Sequence, residues 1–205
     1  MQNARRLTAL TATAFALTAT LGAAPANAQT GGGANNIVHV VNTASGGFAH
    51  RANVQAAPYG GDSAQSTNLA HADSRDCTGC NTHAAALQAV FLTGDPDTVE
   101  VANAAFATNS ACDQCLTYAY AFQYVITSER AVSLSAQGQQ RIQDIQARAS
   151  AVVAQPADGL EDFGAFDEQL DVLAGELRDT IDNELRAGGH TATTRGYRDR
   201  DARSS

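Results

Sequence analysis

The sequence predicts an α+β fold: an antiparallel β-sheet of about six strands, including two repeated strand–loop–strand units, followed by a C-terminal helical hairpin. Three observations predict it. First, the stretch from Asn68 to Val90 recurs from Asn103 to Val125, 35 residues later and without a gap. Second, the identities inside each copy are spaced by two: Asn68, Ala70, Ala72, then Cys80, Thr82, Ala84, Ala86, Gln88 and Val90. In a strand such residues share one face, whereas a helix scatters them around its axis. Third, past Ser133 the apolar spacing becomes helical, with Ile142, Ile145, Ala149 and Val152 on one stripe.

The first element is a leader. Arg5 and Arg6 precede an uncharged stretch from Leu7 to Leu21, and Ala26-Asn27-Ala28 ends it with small residues. This pattern predicts a signal peptide over 1–28 and an exported chain, secreted or held at the cell envelope. The paired arginines resemble a twin-arginine signal, but Thr8 stands where that signal prefers a large apolar residue, which favours the general secretory route. Without Arg5 and Arg6, 11 arginines face 21 acidic residues, a net charge of −10, and there is no lysine. That charge argues against nucleic acid and anionic membrane as partners. A protein or envelope component is the expected partner, with membrane contact peripheral at most.

Residues 29–36 read as a flexible Gly- and Asn-rich lead-in. Ile37–Thr43 is β-branched and reads as a strand, Ser45-Gly46-Gly47 as a turn, and Phe48–Gln55 as the returning arm of a hairpin. The repeats, 68–92 and 103–127, follow within a single domain of 37–187. In the second copy Tyr118, Tyr120, Phe122, Tyr124 and Ile126 alternate with small residues, so one face is large and aromatic. In the first copy THAAALQAVFL has good helix propensity, but homology to the second copy argues for a strand. Helices are expected over about 135–154, with Ser135 as N-cap, and about 160–187, ended by Gly188-Gly189. The Arg-rich segment 188–205 reads as a disordered tail.

All four cysteines lie in the repeats, as Cys77-x-x-Cys80 and Cys112-x-x-Cys115. In an exported chain an even cysteine count favours disulfides, and bridges within each pair, Cys77–Cys80 and Cys112–Cys115, are the expectation. Bridges between repeats, Cys77–Cys112 with Cys80–Cys115, are an alternative if the loop tips are neighbours. A zinc site using Cys77, Cys80, Cys112 and Cys115 is another, since tetrahedral thiolate coordination needs four convergent sulfurs. Thiol–disulfide exchange is a fourth, disfavoured because strands rather than helix N-termini follow the motifs. Haem attachment is excluded, because Asn81 and Leu116 stand where histidine is required. No cofactor is expected apart from the zinc alternative.

No His-Glu-x-x-His, Gly-x-Ser-x-Gly or phosphate-binding loop is present, so no catalytic residue is assigned and the chain is read as non-enzymatic. His83 follows Cys80 by three, but its counterpart is Tyr118, which argues for a strand side chain. His39 and His50 are expected to meet across the first hairpin. Gln88 and Gln123 are expected to bond each other, and Glu161, Asp162, Asp167, Glu168 and Asp171 to form a solvated helix face. An exposed strand edge or the aromatic row is the expected contact surface. The pattern N-x-A-x-A…C-x-x-C-x-T-x-A-x-A-x-Q-x-V in tandem, with a Gln/Arg-rich and then an acidic helix, resembles exported actinobacterial proteins. It is also similar to segments that accompany membrane-bound peptide zinc metalloproteases. That resemblance implies export; protease activity does not carry over, because the metal-binding motif is missing.

Overall fold

Residues 34–205 are described by the structure, a computed structural model. The leader expected over 1–28 lies outside the described residues, as does the lead-in up to Gly33. Ala34 and Asn36, placed in that lead-in by the sequence, are buried.

The fold is α+β, with seven strands in two sheets and two helices. Strands β1 (Asn36–Asn42), β3 (Ser63–Arg75) and β5 (Thr98–Ser110) form one sheet. Strands β2 (Phe48–Gly60), β4 (Asn81–Thr93), β6 (Leu116–Ser128) and β7 (Ala192–Ser204) form the other. Every pairing is parallel except β6 with β7. The expected antiparallel sheet is therefore corrected. The strands of one repeat do not pair with each other: each unit crosses from one sheet to the other through its cysteine turn, and successive units stack. β3 pairs with β5 from Ser63–Thr98 to Arg75–Ser110, and β4 with β6 from Asn81–Leu116 to Thr93–Ser128, so duplicated residues lie side by side. β1 and β2 add a third rung. The result is a short parallel β-solenoid in which each rung contacts only its neighbours.

Stacking explains the period of two physically. Identical polar side chains on neighbouring rungs bond one another along the stack, as Asn and Gln ladders do in in-register parallel sheets. Asn36 Nδ2 donates to Asn68 Oδ1 at 2.9 Å, and Asn68 Nδ2 to Asn103 Oδ1 at 2.7 Å. Gln123 Nε2 donates to Gln88 Oε1 at 2.9 Å, and Gln88 Nε2 continues to the Ala34 carbonyl at 3.0 Å. The small-residue face points between the sheets, where Ala70, Ala72, Ala84, Ala86, Ala105, Ala107, Ala119 and Ala121 meet Val38 and Val40. Alanine there lets the two sheets approach closely.

The large face of β4 and β6 points away from the other sheet, under helices α1 (Ala136–Val153) and α2 (Asp162–Ala187). Leu87, Phe91, Tyr118, Tyr120, Tyr124 and Ile126 pack against Ile142, Ile145 and Val152 of α1 and Phe163, Phe166, Leu170, Leu173, Leu177 and Ile181 of α2. The aromatic row is thus core, not a contact surface. Ser135 caps α1, its hydroxyl accepting from Gly138 N at 3.0 Å while donating to Glu184 of α2 at 2.7 Å.

The acidic face of α2 is not merely solvated. Tyr118, Tyr120 and Tyr124 donate to Asp167, Asp171 and Asp182 at 2.8, 2.7 and 2.7 Å. Two strand residues advance about 6.6 Å and four helix residues about 6 Å. The Tyr118/Tyr120 pair therefore matches the Asp167/Asp171 pair in step. Burial, then the adjoining carboxylates, push the Tyr118 and Tyr120 phenols up from their usual range.

The same carboxylates bind Arg200 and Arg198 of β7. This is why 188–205 is not a disordered tail, and why the chain ends on a strand rather than on the helical hairpin. Along β7, Arg198 and Arg200 reach α2, while Asp199 and Asp201 turn the other way. Their carboxylates accept from the backbone N–H of Ala105 and Ala107 at 3.0 and 3.1 Å, closing the edge of β5. Replacing both aspartates with alanine should destabilise the fold by about 1–3 kcal/mol in denaturant titration, the cost of leaving two half-buried donors unpaired, and should promote self-association through the exposed edge.

Candidate functional site

Two features remain after the fold has used most polar groups: the cysteine turns, and the uncovered side of the first sheet. The turns joining β3 to β4 and β5 to β6 have one shape. Among the described residues, the non-glycine positions with left-handed backbone are Asp76, Ala111 and Gln114, with φ of 50°, 51° and 55°. Each immediately precedes a cysteine, and Gly79 (φ 65°) precedes the fourth. An alanine in this conformation costs on the order of 1–2 kcal/mol, and such strain persists where the surroundings over-determine it.

Because the rungs stack in register, the two turns lie one above the other. Thr78 bridges to Asp113, and the turns exchange backbone bonds from Gly79 N to Asp113 O (2.8 Å) and from Asp113 N to Cys77 O (3.2 Å). The sulfurs of Cys77, Cys112 and Cys115 lie within 4.8 Å of one another. Cys77 and Cys80 lie at disulfide distance, while Cys112 and Cys115, expected to form the second bridge, are free thiols. Cys77 Sγ is 3.7 Å from Cys112 Sγ and 3.8 Å from Cys115 Sγ. The cluster is shielded: Cys77, Cys80 and Cys115 are buried and Cys112 is half-buried. The chain end also reaches it, with Ser205 N donating to Cys115 O at 3.2 Å. Burial, then the Cys115 thiol beside it, raise the Cys112 thiol, away from the lowered range of exchange-active thiolates.

His83 lies on the helix-covered face rather than in the sulfur cluster. Its Nδ1 donates to the Val153 carbonyl at 3.1 Å, and its Nε2 is buried without a partner. Phe48, Tyr118, Phe163 and Phe166 surround it, with ring centroids 5.2–6.3 Å away. Burial pushes its pKa down to about 4. His39 and His50 do not meet, since they lie in different sheets. His39 stacks instead on His71, with centroids 4.6 Å apart and planes within 2°, and His50 is in register with His83. Phe106 follows edge-on to His71 at 6.3 Å.

This His39–His71–Phe106 row sits on the outer side of the β1–β3–β5 sheet. No helix lies over it among the described residues, and Ile37 and Val41 flank it at 56% and 45% exposure. The row is hidden in the sequence because the first rung lacks cysteines and its turn is one residue shorter in register. The signal was nonetheless present: Asn36 and His39 repeat as Asn68 and His71, and His50 and Gln55 as His83 and Gln88.

The rung stack has four sheet edges. β7 covers β6, Asp199 and Asp201 close β5, and Gln146 of α1 bonds both Val54 N and Ala52 O of β2. Nothing among the described residues pairs with the outer edge of β1. No described helix is long and apolar enough to cross a membrane. Searches against protein-family models, curated proteins and solved structures give no match.

Proposed function

We propose that this chain is an exported, non-catalytic module that binds or assembles at the cell envelope by accepting an extended polypeptide segment alongside β1. One observation carries the reading: among the outer strands of the three rungs, β6 is covered by β7 and β5 and β2 are closed by side chains, β1 is bare among the described residues, and β7, itself an outer strand, carries the alternating Arg and Asp charge that blunts an edge. Proteins normally blunt such edges with charge, proline or a covering element. β1 instead presents Ile37 and Val41 outward, with no charged residue in Asn36–Asn42. Strand addition at such an edge draws affinity from backbone hydrogen bonds and specificity from alternate side chains.

The test is the Ile37→Lys/Val41→Lys pair. Both positions are exposed, so stability should change by no more than about 0.5 kcal/mol at each. Wild-type protein should partition with the envelope fraction or form higher assemblies in sedimentation, and the double variant should be released as monomer. A wild-type chain that is already free and monomeric, or a variant retained equally well, would sink the proposal.

A further inference from the structure

We propose that the occupant of the β1 edge is a second copy of this chain, its own β1 laid antiparallel across a two-fold axis at His39. The inference rests on the strand-addition reading above and names the segment that is added. β1 runs Asn36-Ile37-Val38-His39-Val40-Val41-Asn42. With Ile and Val counted as one type, this order is the same in both directions. A two-fold contact requires a self-complementary surface, in which residue i meets j and j meets i. Antiparallel pairing centred on His39 sets Ile37 opposite Val41 of the second copy, Val38 opposite Val40, Asn36 opposite Asn42, and His39 opposite itself. Every residue then meets its own type.

The two faces of the strand select the same register. Centred on His39, all seven residues pair. A slip of one residue would turn the exposed Ile37 and Val41 of one copy to the side of the buried Val38 and Val40 of the other. A slip of two leaves two residues of each strand unpaired. In the centred register the exposed Ile37 and Val41 form two β-branched cross-strand pairs, a stabilising kind. No charged residue lies in β1 to repel its copy. The two three-stranded sheets become one of six strands, and the Phe106–His71–His39 row runs on into the same row of the second copy.

Charge argues against stacking end to end instead. The far end of the rung stack presents β7 with its alternating Arg and Asp, and a β5 edge closed by Asp199 and Asp201. The uncharged β1 offers nothing to complement that end. Head-to-tail growth is blocked, and assembly closes at two copies.

The experiment follows the full exported chain by sedimentation equilibrium over a range of concentrations, alongside fractionation of the expressing cells. A contact of one strand from each copy falls at the small end of specific interfaces, so the unaltered chain should pass from dimer to monomer on dilution. The Ile37→Lys/Val41→Lys variant sets two like-charge pairs across the axis and should weaken the dimer by about tenfold or more. The Ile37→Lys/Val41→Glu variant sets two opposite-charge pairs there and should dimerise again. An equal mixture of the Ile37→Lys/Val41→Lys and Ile37→Glu/Val41→Glu chains should form the mixed dimer. Equal loss in every charged variant and in the mixture overturns the proposal, as do assemblies larger than two. An unaltered chain that is monomeric at all concentrations also overturns it. If that monomer is still retained with the envelope through Ile37 and Val41, strand addition to β1 stands with a different partner; if it is not retained, the strand-addition reading falls too.

Discussion

Replacing Asn68 with alanine should lower unfolding stability by about 3–5 kcal/mol, a large share of what a single domain holds. Asn68 is fully buried at the centre of the asparagine ladder. Its amide group divides its two hydrogens among Ala86 O at 3.0 Å, Asn103 Oδ1 at 2.7 Å and Phe122 O at 3.1 Å, while its oxygen accepts from Asn36. One side chain thus ties the first sheet to the carbonyls of β4 and β6 in the second. Alanine strips the donor from several buried acceptors, and each buried unpaired group costs about 1–3 kcal/mol. Asn103→Ala should cost less, because Asn103 is the half-buried end of the ladder and donates to Ala121 O. Chemical denaturation of both variants gives the comparison. Equal losses at the two positions would show that the ladder does not centre on Asn68.

Acid should weaken the fold through His83. Its folded pKa is about 4 and its ordinary value 6.5. Burial is the main cause, with the nearby His50 adding to it, while the bond to Val153 opposes the shift. Below 6.5 the unfolded chain gains a proton that the folded one still refuses. The stability this group contributes is therefore fully present above pH 6.5 and is lost as pH falls towards 4, by about 2–4 kcal/mol. Protonation would place a donor at Nε2, which faces rings and has no acceptor. In His83→Phe, denaturation midpoints should lose this dependence between pH 6.5 and 4, whatever the absolute change in stability. A variant that keeps the wild-type acid slope would assign the effect to other groups, with His71, which is also lowered, the next candidate.

Much of the fold was legible in the sequence, but its meaning turned on one ambiguity. The period of two in Ala70, Ala72, Ala84 and Ala86 reports strands and says nothing of their direction. Hairpins within a repeat and stacking between repeats produce the same alternation. What separates them is identity across copies at buried polar positions. Asn68 with Asn103, and Gln88 with Gln123, need each other as neighbours only in a parallel stack. The large face of β6 read as aromatic, but whether rings lie on a surface or under a helix depends on where α2 docks. That docking is written in the pairing of Tyr118 and Tyr120 with Asp167 and Asp171.

The C-terminal segment misled because its composition is polar. Its order lies in the alternation Arg198-Asp199-Arg200-Asp201, with the two charges serving two different elements. The cysteine spacing left several chemistries open. Only the 35-residue register, which places one turn on the other, brings Cys77 beside Cys112 and Cys115.

That register is the claim on which the site, the open edge and the ladders all rest. Isotope-resolved NMR of cross-strand contacts tests it most directly. The account predicts amide-to-α-proton contacts of parallel strands between residues 35 apart, such as Ala70 with Ala105 and Thr82 with Thr117. Antiparallel contacts between 63–75 and 81–93, as in a hairpin, would contradict it.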